Sequence, residues 1–285
     1  MSTVQTIYDY IQYRPDIQVT IDDLVHVVDQ AVRTIAKRLY VLESDLITGQ
    51  MEVKVFAAVD YTADTIAFVD SGPDTITDSA SQFVAEGFVA DMPITTDSSG
   101  NAGPFRINTA AVGTLTLVST DSVTAAIAGS DVTITSDDSF GYLPTDFWGL
   151  KGKPYIDGKD YTLTPLPSVD VEIAYPSAGE PRHYKIRGTK LYVTPHTSSD
   201  YTIKADYFQR PTSITTTTAT LPFNELFDDL IAEYAVKYFR GIKTEGAVGE
   251  NLLSRMVIEN VDLIANRYDR RAPVEFPQAV DWNNI

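Results

Sequence analysis

The sequence predicts an α+β fold, because helical periodicity at both ends of the chain encloses a long central region with strand-like alternation. Apolar residues recur every three or four positions over about residues 20–42 and again over about 222–271. Between these stretches, short runs of Val, Ile, Thr and Tyr alternate with polar residues and stop at turn signals. A length of 285 residues is ordinary for about two domains.

The first helical stretch has a clear start and a clear apolar face. Thr20 is a favourable N-cap, and Asp22 and Asp23 follow it in the first turn, where the helix dipole favours acids. The apolar face consists of Leu24, Val28, Ala31, Ile35, Leu39 and Leu42. This spacing predicts an amphipathic helix of about 23 residues. After Gly49, the alternation over residues 51–55 predicts a strand.

Residues 56–137 differ from the rest of the chain in charge. They contain one basic residue, Arg106, and eleven acidic ones, so they carry ten of the seventeen net negative charges. Because they are also rich in Thr, Ser, Val and Ile, we predict a separate all-β module, here called the β module. Its acids keep a surface soluble, or they line a channel along which DNA slides without sticking. The charge disfavours nucleic-acid binding as the main role.

The region 138–220 also predicts β structure, and two helices follow it. Strands are expected over 169–175 and 201–207, with a hairpin over 184–193 in which Gly188 supplies the turn. In the first C-terminal helix, Pro222 fits the first turn and Gly241 ends the helix, with one apolar face made by Leu226, Leu230, Tyr234 and Tyr238. The face of the second helix consists of Leu253, Met256, Val257, Ile264 and Tyr268, with Val261 beside it.

The C-terminal end of the second helix is basic, and an aromatic tail follows it. Arg267, Arg270 and Arg271 complement the helix dipole there, or they contact an acidic partner. Pro273 stops the helix, and the tail that follows is either frayed or docked on a neighbour.

Catalytic and metal-binding patterns are missing from the sequence. There is no cysteine, and the three histidines lack metal-ligand spacing. We expect His26 to be partly buried in the first helix and His183 and His196 to lie on the surface. The Asp97–Asn101 segment is better explained as a polar turn than as a calcium loop. We therefore expect no enzyme activity, no cofactor and no metal, although counting carboxylates leaves a glycosidase pair open.

Two parts of the chain resemble known phage proteins. "LPFNELFDDLIAEYAVKYFRG" (Leu221–Gly241), preceded by "YKIRGTKLYVTPHTSSDYTIKADYFQRP" (Tyr184–Pro211), resembles the head-to-tail adaptor proteins of tailed bacteriophages. These are also called gatekeeper or tail tubular A-type proteins, and the resemblance covers roughly 1–55 and 140–271. The stretch from about 65 to 135, with "DTITDS" at Asp74–Ser79, resembles a small β-rich module inserted in many phage virion proteins.

The resemblance implies a domain organisation. It implies a helical bundle from the N- and C-terminal helices, an antiparallel β domain and an inserted all-β module. The expected segments are an N-terminal helix and strand (1–55), the β module (56–137), the β part of the core (138–220), the C-terminal helices (221–271) and an extended tail (272–285).

The resemblance also implies a function in the virion, in its neck or tail. Such adaptors form a ring, usually of twelve copies, between the portal protein and the next tail component, and DNA passes through it without sequence-specific binding. The tail residues expected to contact the portal are Pro273, Phe276, Pro277, Trp282 and Ile285. The alternatives are a protein that attaches tail fibres or spikes, and a carbohydrate-binding module.

Overall fold

The computed structural model describes residues 3–14, 17, 19–166, 178–223, 227–244 and 258–265, and for 241–244 only the backbone. The chain divides into two compact units. The helical unit combines Met1–Gly49 with Phe208–Ile285, and the β unit is Gln50–Tyr207. Helices and antiparallel sheets are both present, so the α+β prediction is confirmed, whereas the helical bundle stays a prediction.

The named helices are α1 (Val4–Gln12), α2 (Ile21–Val41), α3 (Phe83–Glu86) and α4 (Asp228–Thr244). Residues 258–265 are also helical. In the helical unit, α1, α2 and α4 contact one another. The predicted helix start is confirmed, since the Thr20 side chain accepts a hydrogen bond from the backbone N–H of Asp23. The predicted face is confirmed for Leu24, Val28, Ala31, Ile35 and Leu39, which are fully buried, whereas Leu42 follows the end of α2 and is half-buried.

The predicted ends of the first C-terminal helix are wrong at both Pro222 and Gly241. Pro222 lies in a bend, and α4 begins at Asp228. The helix continues through Gly241 to Thr244. A single glycine costs a helix interior only about 1 kcal/mol, so it does not by itself end a helix. Leu230 and Tyr234 are buried as predicted, and Leu226 lies outside the described residues.

Two four-stranded sheets of the β unit share one core. The first has the order β1 (Thr48–Val55), β15 (Tyr201–Gln209) and β10 (Phe147–Leu150), with β11 (Tyr155–Ile156) also paired to β15. The second has the order β12 (Thr164–Pro165), β13 (His183–Arg187), β14 (Lys190–Thr194) and β9 (Phe140–Tyr142). Their core includes Met51, Val53, Val55, Leu191, Val193, Ile203 and Ala205.

These two sheets confirm most of the strands expected outside the β module. The strand after Gly49 is β1, and its buried residues alternate with exposed ones. The predicted hairpin is β13–β14, where Gly188 has a φ of 60° in the left-handed region that favours glycine. The strand expected over 201–207 is β15. The strand expected over 169–175 lies outside the described residues.

The β module forms a third sheet with its own core. Its seven strands are β2 (Asp60–Ala63), β3 (Ile66–Val69), β4 (Thr75–Asp78), β5 (Pro93–Thr96), β6 (Phe105–Ala111), β7 (Thr114–Leu117) and β8 (Val132–Ser136). Their order is β2-β8-β5-β6-β7-β4-β3, and every pairing is antiparallel. The core contains Ile76, Phe83, Phe88, Ile94 and Leu115. One short helix, α3, interrupts the expected all-β structure and contributes Phe83 to this core.

Candidate interaction surfaces

The residues predicted to contact a partner lie outside the described part of the chain. This holds for Pro273, Phe276, Pro277, Trp282 and Ile285 of the tail, and for Arg267, Arg270 and Arg271. Their roles therefore stay predictions. The described residues show instead which surfaces the two units offer.

Helix α1, which the sequence analysis missed, and the residue that follows it expose two aromatic rings. Tyr13 has 87 % of its surface exposed and Tyr10 has 46 %. The Arg14 guanidinium lies 5.5 Å from the centroid of the Tyr10 ring and donates a hydrogen bond to its hydroxyl. Exposed aromatic and arginine side chains are the residue types that protein interfaces favour. Tyr10, Tyr13 and Arg14 together are therefore a candidate interaction surface of the helical unit.

The start of α1 did carry a signal in the sequence. The Thr3 side chain accepts from the backbone of Thr6, and the Thr6 side chain accepts from the backbone N–H of Thr3, which together make a capping box. The buried residues Val4, Ile7 and Ile11 have the spacing of one helix face. The helix is only nine residues long, so the pattern is short and easily overlooked.

Both arginines of α2, Arg33 and Arg38, form ion pairs with acids of the same unit. Arg38 forms a bidentate hydrogen-bonded ion pair with Asp262, and both nitrogen–oxygen distances are 2.6 Å. The hydrogen bonds from Arg38 hold the pKa of Asp262 below its ordinary value, and those to Asp262 raise the pKa of Arg38. Arg33 contacts Asp29 and donates to the Ser213 hydroxyl. These contacts fix the 258–265 helix and the segment after β15 to α2.

In the β module, the buried carboxylate of Asp78 organises the turn between β4 and α3. One oxygen accepts from the Thr65 hydroxyl at 2.6 Å and from the backbone of Ala80, and the other from the Tyr61 hydroxyl and the backbone of Gln82. Burial by itself raises the pKa of Asp78, but these hydrogen bonds outweigh it and leave the pKa lowered. The side chain therefore remains ionised inside the module.

Asp74 has a similar role at the other end of β4. It is 8 % exposed and accepts hydrogen bonds from the backbone of Ser71 and of Val123. It thereby joins the β3–β4 loop to the segment after β7. The two acids of the "DTITDS" stretch are therefore structural. The signal in the sequence was their position beside serine-containing turns, with Asp74 after Ser71-Gly72-Pro73 and Asp78 before Ser79-Ala80-Ser81.

An open cleft of about 760 Å³ lies between the β3–β4 loop and the segment after β7. Its lining includes Asp70, Asp74 and Asp121 together with several serines, and Leu117 and Val118 supply apolar surface. Two of the carboxylates already accept backbone hydrogen bonds, Asp74 from Val123 and Asp121 from Arg106. Small-molecule sites are mostly apolar and enclosed, so this polar, open cleft does not resemble one.

The histidines differ from the predictions at two of three positions. His26 is exposed rather than partly buried, because it lies two residues after Leu24 and so faces away from the buried side of α2. His183 is half-buried rather than on the surface, and its Nδ1 lies 2.7 Å from the Thr164 hydroxyl. His196 is exposed as predicted, with Nδ1 3.0 Å from an Asp138 oxygen.

The Asp97–Asn101 segment is a polar turn, as predicted. Asp97 accepts from the backbone of Thr133, and the Asn101 amide exchanges two hydrogen bonds with the backbone of Thr124. Among the described residues, no group of three or more His, Asp or Glu side chains could hold a metal ion. No helix in the described part of the chain has the length and hydropathy needed to span a bilayer.

Comparison with known protein families places this chain. The model of the SU10 adaptor protein family matches residues 106–273, which is more than half of the chain. The match begins in β6, inside the β module, and covers every strand of the two four-stranded sheets except β1, together with the C-terminal helices. A search of curated proteins finds no significant match.

Proposed function

The chain belongs to the SU10 adaptor protein family and is a phage structural adaptor of the virion, and on this premise we propose that it joins the portal to the next tail component. The proposal is that copies close into a ring beneath the portal, usually of twelve, through which DNA is retained and later passes. The single observation that carries it is the family match over residues 106–273.

Ring closure requires a heterologous contact, in which one surface of a copy binds a different surface of the next. The helical unit offers exposed apolar and aromatic side chains for such contacts, and these are Tyr10, Tyr13, Val41, Ile258 and Leu263. Tyrosine is among the residue types that contribute most to the binding energy of protein interfaces when a partner buries them. This supports the helical unit as the part of the chain that assembles.

The charge of the chain supports passage of DNA rather than binding to it. A net charge of −17 repels phosphates, and a protein that held DNA tightly would need clustered Lys and Arg. Arg33 and Arg38 are paired with Asp29 and Asp262. We therefore propose that DNA moves through the ring without sequence-specific contacts.

We assign the portal contact to the C-terminal tail. Pro273–Ile285 extends at most about 45 Å, which is enough to reach a neighbouring subunit. Phe276 and Trp282 are its apolar anchors, and Arg267, Arg270 and Arg271 precede it as partner contacts. The β module faces outward in this proposal, towards fibres or solvent, and the protein catalyses no reaction.

The first experiment is mass photometry of the full chain, alone and mixed with the portal of its source particle. A portal-dependent shift to the mass of a ring of about twelve copies is the expected result. The absence of any mass shift with the portal would overturn the proposal and would favour a protein that attaches tail fibres or spikes. Binding on a glycan array would instead favour a carbohydrate-binding module, and clearing of isolated cell walls would favour a hydrolase.

The tail is tested with matched variants in the same assay. Phe276→Ala with Trp282→Ala removes both aromatic anchors, whereas Gln278→Ala with Asn283→Ala changes two polar residues of the same segment. We expect only the first pair to abolish the portal-dependent mass shift. Full binding by that pair, or by a chain lacking 273–285, would show that another surface contacts the portal.

A further inference from the structure

The chain enters and leaves the β module at two adjacent points, and one buried threonine holds both. Thr197, 1 % exposed, lies in the turn between β14 and β15. Its hydroxyl donates to the carbonyl oxygen of Phe56, where the module begins. Its backbone N–H donates to the carbonyl of Asp138, where the module ends, at 3.1 Å. Each crossing is thus hydrogen-bonded to the same residue, in the turn that follows β14 of the sheet β12-β13-β14-β9.

Further hydrogen bonds connect the two crossings to each other and to that turn. Asp200 accepts from the backbone N–H of Ala57 at 2.9 Å. The Ser136 hydroxyl donates to the carbonyl of Ala57 and accepts from the backbone of Val59. A flexible linker would leave such backbone groups to water, whereas here they are satisfied by the neighbouring turn.

A second attachment lies on a different part of the β module and involves its one basic residue. Arg106, on β6, donates to Asp91 at 2.8 Å. Its guanidinium carbon lies 4.6 Å from the centroid of the Tyr142 ring on β9, which belongs to the other sheet. The Arg106 Nε is buried without a hydrogen-bond partner, so the aromatic face of Tyr142 is the main contact of that side of the guanidinium.

Charged and aromatic groups continue this contact on both sides. The ammonium of Lys190 lies 3.7 Å from the centroid of the Phe140 ring, and that of Lys54 lies 3.8 Å from Asp91. Between the two rings, a Cβ at Gly141 would meet the carbonyl oxygen of Lys54 at 2.2 Å, so only glycine permits this backbone approach. The packing at this point is therefore tight as well as polar.

We propose that these two attachments form a rigid joint, defined by Thr197 with Asp200 at the crossings and by Arg106 with Tyr142 on the sheet face. Two contacts on separate elements prevent both hinge motion and rotation, which a single contact does not. The β module and the sheet β12-β13-β14-β9 then move as one body. The proposal concerns the folded chain by itself, so it stands or falls independently of the proposed function.

The joint has a consequence for the surface of the β module. The one basic side chain of the module, Arg106, lies at the joint. All the other charged side chains of residues 56–137 are acidic. Asp60, Asp64, Asp97 and Asp131 are exposed. In this proposal the β module holds its acidic surface in a fixed orientation to the sheet β12-β13-β14-β9, and it does not move on a flexible linker.

The experiment measures one distance across the joint in the full chain. Because the chain has no cysteine, Ser130→Cys on the module and Lys185→Cys on β13, both exposed, place one spin label on each side. Pulsed electron–electron double resonance then gives the distribution of distances between the two labels. The joint variant combines Arg106→Leu with Thr197→Val. The matched control combines Thr62→Val with Lys159→Leu, which removes one hydroxyl and one cation elsewhere in the β unit.

A rigid joint predicts one narrow distance distribution in the parent and in the control, and loss of that narrow distribution in the joint variant. Amide exchange at residues 56–59 and 136–139 should become about tenfold faster in the joint variant, as expected for a lost buried hydrogen bond. A broad distribution in the parent, or a narrow one in the folded joint variant, overturns the proposal. If the joint variant does not fold, Arg106→Lys replaces it, because lysine keeps the charge but loses the planar stacking face.

Discussion

The helical unit and the β module are stabilised by different kinds of residue. In the helical unit, an apolar face on α2 packs against α1 and α4, and polar contacts such as that between Arg38 and Asp262 lie at its edge. In the β module, the apolar core is accompanied by buried carboxylates, Asp74 and Asp78, which bind the backbone of the loops. The difference teaches that, among the described residues, buried carboxylates organise the loops of the β module, whereas the core of the helical unit contains none.

The largest expected effect comes from removing one buried ring from each region. Phe83→Ala in the β module and Phe227→Ala in the helical unit each delete a side chain with no exposed surface. Each should lower the free energy of unfolding by about 3–5 kcal/mol. Denaturant titration with hydrogen exchange should show the loss in the unit that carries the substitution. Val84→Ala, at a half-exposed neighbour of Phe83, is the control, and an equal loss there would contradict the core assignment.

The next effect separates the two regions, because it depends on a buried acid. Asp78→Asn replaces one acceptor oxygen with an amide that faces hydroxyl and N–H donors, so the module should lose roughly 2–4 kcal/mol of stability. Thermal unfolding measures this loss. Asp70→Asn, at an exposed acid before the same strand, should change little. Equal melting temperatures of the Asp78→Asn and Asp70→Asn variants would mean that Asp78 does not organise the turn.

The same acid predicts a pH dependence. Since the pKa of Asp78 is lower in the folded chain, its contribution is present above the unfolded pKa of about 3.9 and is lost as the pH falls through the folded pKa. Unfolding free energies measured from pH 7 downwards should therefore decline less steeply for Asp78→Asn than for the parent. Parallel curves would show that another group carries the acid sensitivity.

A smaller effect is expected at the start of α2. Thr20→Ala removes the side-chain cap from the backbone of Asp23 and should cost about 1 kcal/mol, confined to the helical unit. Thr34→Ala is the matched control, because the Thr34 hydroxyl donates back to the carbonyl of Gln30 within the helix, a contact that favours alanine substitution. Denaturation midpoints compare the two, and equal destabilisation would contradict the capping role.

The smallest effect belongs to the ion pair between Arg38 and Asp262. Both side chains are about a third exposed, so solvent and salt screen the pair. Asp262→Asn should lower the melting temperature slightly at low ionic strength and less at high ionic strength, whereas Lys37→Gln, at an exposed residue of the same helix, should not respond in this way. The lowered pKa of Asp262 implies that the contribution is lost as the pH falls through that value.

Periodicity and turn residues were enough to predict several elements. The helix from Thr20, the strand at Met51–Val55 and the hairpin around Gly188 all rest on local patterns, and the structure has them where expected. The errors also have local causes. The prediction that the helix ends at Gly241 is wrong because glycine weakens a helix without ending it. The burial predicted for His26 is wrong because the prediction left out the angular position of His26 around the helix axis.

The sequence by itself determined the longest helix and several strands, the acidity and the resemblance to phage adaptors, since all of these are properties of composition and of residues a few positions apart. Only the tertiary structure decided what the polar residues do. Thr65 reaches Asp78, and Arg106 stacks on Tyr142. Thr197 is bonded to Phe56, 141 positions away. Such contacts depend on how strands are ordered in the sheets, and no local pattern of residues encodes that order.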